Sequence, residues 1–94
     1  MKYLRVTMPD GSKWDVPANV IANHRALIRE RDEQGTYTKE LEFAIADDFE
    51  LEDWAANNMN WRDVQHFAER FEDAPATVDY QEGWTNGEKE VVDV

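Results

Sequence analysis

The sequence predicts a small α+β domain, with an antiparallel sheet built from an N-terminal hairpin and C-terminal strands and packed against three to four helices. Three patterns carry that prediction. Residues 2 to 16 alternate apolar and polar positions around a turn, the middle of the chain repeats apolar positions at helical spacing, and the C-terminal segment returns to strand-like residues. At 94 residues the chain makes a single domain, residues 1 to 94, with no internal repeat and no low-complexity linker.

Leu4, Val6 and Met8 alternate with Tyr3, Arg5 and Thr7, and Trp14 and Val16 resume the period after Pro9-Asp10-Gly11-Ser12. Pro and Asp open such a turn, and Gly supplies the positive φ that closes it. Pro17 ends the second strand and suits a helix start, because a missing N–H costs nothing in the first turn. The helix that follows, ANVIANHRALIRERDEQ, places Val20, Ile21, His24, Leu27, Ile28 and Arg31 on one face and ends at Gly35. Thr36 or Thr38 can cap a second helix that turns Leu41, Ala44 and Ile45 inward. The stretch opening at Asp47 reads as a loop leading into a short helix from Glu50 to Asn58, its first turn acidic as the macrodipole favours. Asn60 and Asp63 form a capping pair for WRDVQHFAERFED, which puts Trp61, Val64, Ala68 and Phe71 on one face until Pro75 ends it. Thr77 to Tyr80 and the pair Val91, Val92 read as strands, with Asn86-Gly87 as a hairpin turn.

Charge is the most unusual property. The chain carries −11 overall, but residues 1 to 31 hold +3 and residues 32 to 94 hold −14. DDFELED, Asp47 to Asp53, packs five carboxylates into seven residues. A small domain needs a net charge of only about 2 to 8 in magnitude for solubility, so this excess points past a solvated face to a basic partner; the same field repels nucleic acid and anionic membrane. There is no cysteine, no apolar run of roughly 20 residues, and the start MKYLRVTMPDG turns polar too early for a secretory signal. A cytoplasmic protein is expected.

Catalytic chemistry has little to work with. Ser12 is the only serine and belongs to a turn; His24 falls on an apolar helix face as a core or boundary residue, and Asp63 with His66 reads as a surface pair. Neither histidine belongs to a metal motif, so no metal or cofactor is expected. DDFELED lacks the glycine of a calcium loop and puts Phe49 and Leu51 where ligands belong. Its carboxylates are also too dense and solvated to hold the separated pKa values of a glycosidase pair. An enzyme ranks third among the readings.

Carboxylates at helical i, i+3 and i, i+4 spacing lie about 5 to 6 Å apart, close to the roughly 7 Å between phosphates along a DNA strand. Asp47, Glu50 and Asp53 have that spacing, as do Glu69, Glu72 and Asp73, with Asp79, Glu82, Glu88, Glu90 and Asp93 behind them. The expected partner-binding residues are Asp47, Asp48, Glu50, Glu52, Asp53, Glu69, Glu72, Asp73, Asp79 and Glu82. Trp84, beside a glycine and an Asn-Gly turn, is expected to stand exposed as an anchor. The other interleaved aromatics, Phe49, Trp54, Trp61, Phe67, Phe71 and Tyr80, are expected mostly in the core.

MPDGSKWDVP, residues 8 to 17, and LEDWAANNMNWRDV, residues 51 to 64, resemble stretches of small uncharacterised proteins encoded by phages and prophages. In size and charge the chain is also similar to phage inhibitors of host defence, the anti-CRISPR and anti-restriction proteins, several of which mimic DNA. The resemblance implies a non-enzymatic inhibitor in the bacterial cytoplasm, monomeric or dimeric, that occupies the DNA- or RNA-binding groove of a host complex. The alternative is a phage accessory or structural protein that binds another subunit through an aromatic patch, its acidic face serving solubility.

Overall fold

The computed structural model describes residues 1–72 and 80–94. Asp73, Pro75, Asp79 and the strand expected from Thr77 fall on or beside the segment outside them. The elements run β1 (Lys2–Thr7), β2 (Lys13–Pro17), α1 (Ala18–Asp32), α2 (Tyr37–Ala46), α3 (Asp48–Asn58), α4 (Trp61–Val64), β3 (Glu69–Glu72), α5 (Tyr80–Asn86) and β4 (Lys89–Asp93). The fold is α+β, with the strands in one sheet of order β3-β2-β1-β4, every neighbouring pair antiparallel.

β1 and β2 form the expected hairpin, from Tyr3 opposite Pro17 to Thr7 opposite Lys13. Gly11 takes φ +85°, and the Asp10 carboxylate accepts the Ser12 N–H at 2.9 Å and its hydroxyl at 2.5 Å. Leu4, Val6 and Val16 turn to the helix-covered face and are fully buried, with Trp14 and Val91 packed alongside. The odd residues of β1, Tyr3, Arg5 and Thr7, point to the opposite, open face.

α1 buries a different stripe from the one expected. Ala18, Ile21, Ala22, Arg25 and Ala26 face inward, whereas Leu27 is 50% exposed. Three alanines bring the helix close to its neighbours, and large apolar size is no guide where small side chains make the contact. The α1–α2 joint also differs from expectation. Thr36 occupies the cap position of α2 but makes no side-chain cap. Glu30 of α1 does that work, accepting the backbone N–H groups of Gly35, Thr36 and Tyr37 at 2.9, 2.8 and 2.8 Å. α3 starts at Asp48, two residues before the expected Glu50.

Three corrections concern the C-terminal half. The helix expected through Phe71 stops at Val64: Asp63 reaches back to the Asn60 N–H at 2.7 Å and starts it, but Glu69–Glu72 leave to pair with β2. β2 would otherwise present an unpaired row of backbone groups on that side, and tertiary pairing overrides local helix preference. Tyr80 opens a helix rather than closing a strand, and Asn86 ends that helix rather than turning a hairpin. Gly87 has no positive φ; a Cβ there would lie 2.2 Å from the Thr7 carbonyl oxygen and 2.4 Å from that of Gly83, so glycine is required by close backbone approach. Finally, Trp84 is fully buried, its indole N–H donating to the Met59 carbonyl at 3.0 Å and its ring 6.1 Å from Trp61. Trp61 and Tyr80 in turn pack edge-on against Trp14 at 5.5 and 5.7 Å, an aromatic cluster that ties β2, α4 and α5 together.

Two carboxylates that organise turns make stability depend on pH. The Gly35 N–H, with those of Tyr37 and Thr36, holds Glu30 below its ordinary 4.5, against opposing desolvation. The Ser12 hydroxyl and N–H hold Asp10 below 3.8. Unfolded chains take up these protons at the ordinary values and folded chains only at lower pH, so this stability is complete above the ordinary values and lost as pH falls through the lowered ones. Glu30→Gln should lower the urea midpoint at pH 7, with a deficit against wild type that shrinks as pH falls below the ordinary 4.5. An equal deficit above and below that value would contradict this role for the Glu30 charge.

Candidate functional site

The acidic run divides between scaffold and surface. Asp47 is the N-cap of α3, its carboxylate accepting the Glu50 N–H at 3.1 Å. Asp48 accepts from the Lys2 ammonium at 2.9 Å, and Lys2 also donates to the Ile45 carbonyl at 2.7 Å, tying β1 to the α2–α3 joint. Glu50 accepts from Arg25 Nε at 2.8 Å, and Arg25 also bonds Glu40 of α2. That guanidinium lies 5.0 Å from the Phe43 ring and 6.0 Å from Trp54. Asp47 to Asp53 is therefore no continuous anionic face. Bases that lie far back in the sequence fold onto it, and Glu52 and Asp53 are left.

β4 and α3 gather a second group. α3 packs beside β4, and Glu52 faces Lys89, whose ammonium donates to the carbonyls of Thr85 at 3.3 Å and Gly87 at 3.1 Å. Burial pushes the Lys89 pKa down, with Glu52 opposing the shift. Asp53 is exposed and accepts from the Asn57 amide at 3.0 Å. Glu88 and Glu90 are exposed, and Asp93 accepts from the Met1 ammonium at 3.2 Å.

On the open sheet face Glu69, Asp15, Arg5 and Glu90 stand in one row across β3, β2, β1 and β4. Arg5 grips Asp15 with two bonds, 2.8 and 3.0 Å, and this pairing raises the Arg5 pKa against opposing desolvation. The row holds three carboxylates around one guanidinium. Glu72 lies opposite Lys13 at the end of β3, Glu82 is exposed on α5, and Asp73 and Asp79 lie outside the described residues. Trp84 is no surface anchor. Sequence reasoning placed Glu88, Glu90 and Asp93 only behind the main group. Their sheet-edge position follows from β4 pairing with β1, for which the pair Val91 and Val92 was the available signal.

A groove of about 490 Å³ between α1, α2 and the segment around α4 is lined by Val20, His24, Leu27, Leu41, Met59 and Phe67, among others. Leu27 and Phe67 are about half exposed. His24 Nδ1 accepts the Trp54 indole N–H at 2.9 Å; an indole only donates, so that nitrogen carries no proton and the neutral ring holds its proton on Nε2. His66 is exposed in the turn after α4 and does not line the groove, although its neighbour Phe67 does. Ser12 is fully buried, its hydroxyl committed to Asp10 and to the Trp14 indole at 3.2 Å. Among the described residues no group of three or more His, Asp and Glu is placed to hold a metal ion, and no helix is long and apolar enough to cross a membrane.

Comparison with protein-family models, with curated proteins and with solved structures gave no match. The functional reading therefore rests on the residues of this chain.

The division of the run is open to test by urea unfolding. Asp47→Ala removes a helix cap and should cost about 1 kcal/mol, whereas Asp53→Asn, at an exposed position, should change stability by no more than about 0.5 kcal/mol. Equal costs would contradict it.

Proposed function

We propose that the chain is a non-enzymatic binding protein that docks an acidic surface on a basic protein surface, of the kind a nucleic-acid-binding groove presents. The similarity in size and charge to phage inhibitors of host defence, beside two stretches that resemble uncharacterised phage proteins, extends this to a phage-encoded inhibitor of a host nucleic-acid-binding complex, acting by DNA mimicry in the manner of anti-CRISPR proteins. One observation supports the reading above the others: on β4 and α3 the carboxylates outnumber the cations that face them. Glu88 and Glu90 on the open sheet face, with Glu52, Asp53 and Asp93 on the helix side of the same edge, meet Lys89, the Met1 ammonium, a Lys13 that lines one groove with Glu88 and Glu90, and an Arg5 that is already doubly bonded to Asp15. Glu88 and Glu90, two residues apart on an extended chain, point the same way about 6.8 Å apart, close to the roughly 7 Å phosphate repeat of a DNA strand. Excess charge of one sign accelerates capture of a cationic groove and disfavours other partners.

The groove between α1 and α2 favours a second reading. Its half-exposed Leu27 and Phe67 suit an accessory protein that binds another phage subunit by apolar contact.

A partner captured from host lysate separates the two. On the mimicry reading its affinity falls about a hundredfold between 50 and 200 mM salt, duplex DNA competes for it, and Glu88→Gln with Glu90→Gln weakens it. Affinity indifferent to salt and DNA, but lost in Leu27→Glu and Phe67→Glu, would replace mimicry with the accessory reading.

A further inference from the structure

We infer that the free edge of β4 is a docking site for an extended, basic segment of the partner protein, which adds to the sheet as a fifth strand. This deepens the acidic-surface reading above and rests on it.

The backbone parity of β4 follows from three hydrogen bonds. Met1 donates to the Val94 carbonyl at 2.5 Å, Val94 to Met1 at 2.9 Å, and Thr7 to Glu88 at 2.9 Å. In an antiparallel pair such bonded positions alternate, so Glu88, Glu90, Val92 and Val94 turn their N–H and C=O groups toward β1. Met8 donating to the Ser12 carbonyl at 2.8 Å gives the matching parity on the other side of β1. Lys89, Val91 and Asp93 consequently direct theirs away from the sheet, at the end of the order β3-β2-β1-β4. Among the described residues none of those outward groups has a backbone partner. Three evenly spaced donor and acceptor sets are what an incoming strand requires.

The side chains select the kind of strand. On the open face, register with Tyr3, Arg5 and Thr7 places Val92, Glu90 and Glu88 in line. A strand added beside β4 sets its own side chains about 4.5 to 5.5 Å from these, so it needs cations opposite Glu88 and Glu90 and an apolar residue opposite Val92. Charged side chains on an edge ordinarily guard against self-pairing. Here the same glutamates that oppose a second copy, itself of charge −11, favour a basic strand.

The probes are blocked peptides VTVTKTK and VTVTETE and tetralysine, added to the full chain at low salt. With VTVTKTK, amide exchange at Lys89, Val91 and Asp93 should slow about tenfold or more, while other edge amides do not change. Val91→Pro removes an N–H that points away from β1, so the internal ladder survives, at some loss of Val91 packing; it should weaken VTVTKTK about tenfold and leave tetralysine binding unchanged. Exchange is measured on the unmodified chain, so it decides the matter even if the proline variant does not fold. Binding of VTVTKTK without protection of those amides overturns strand docking and leaves the acidic-surface reading standing. Failure of both VTVTKTK and tetralysine to bind overturns both. Equal binding of VTVTETE, or a dimer that Val91→Pro abolishes, overturns the basic occupant.

Discussion

Arg25 sits on the inner stripe of α1 between Ala22 and Ala26, only 6% exposed, with a charge that no apolar neighbour can neutralise. Glu40 of α2 and Glu50 of α3 close on it from two other helices, and the rings of Phe43 and Trp54 flank it. Each partner carboxylate is about three-quarters buried. Withdrawing a charge this far from water is costly, and removing one member of such a group leaves the others uncompensated. The pair of bonds therefore fixes three helices relative to one another more narrowly than apolar packing alone, which tolerates sliding.

That constraint explains why the most acidic stretch of the chain does not form one continuous anionic surface. Arg25 takes Glu50, Lys2 takes Asp48, and the start of α3 takes Asp47. The basic N-terminal third is in part the internal counterion of the acidic remainder. The surplus that remains lies on the flank, where an edge strand carries glutamates beside a helix that carries two more acids, and only part of it is met by Lys89, Arg5 and Lys13. The proposed function draws on the charge the scaffold does not use.

The sequence was most informative where the cause is local. The hairpin follows from a period of two and a Pro-Asp-Gly turn, β4 from paired valines, and the start of α4 from Asn60 and Asp63. It was silent where the cause is distant. The inward face of α1 is set by what Ala18, Ala22 and Ala26 allow to approach, and no apolar count along the helix distinguishes Arg25 as buried. β3 forms because β2 has an open side, a fact about another part of the chain. Asn86-Gly87 carries the usual signature of a hairpin, yet its glycine answers to the Thr7 carbonyl 80 positions away. The carboxylates of the run resemble one another in sequence and differ only by which base folds onto them.

The claim that part of the acidic run is scaffold is tested most directly by a double-mutant cycle on Arg25→Met and Glu50→Gln, read by urea unfolding. A coupling energy of about 1 to 3 kcal/mol between the two positions is expected. Additivity within about 0.3 kcal/mol would mean that Glu50 contributes nothing to holding α3 against α1, and would return it to the surface charge.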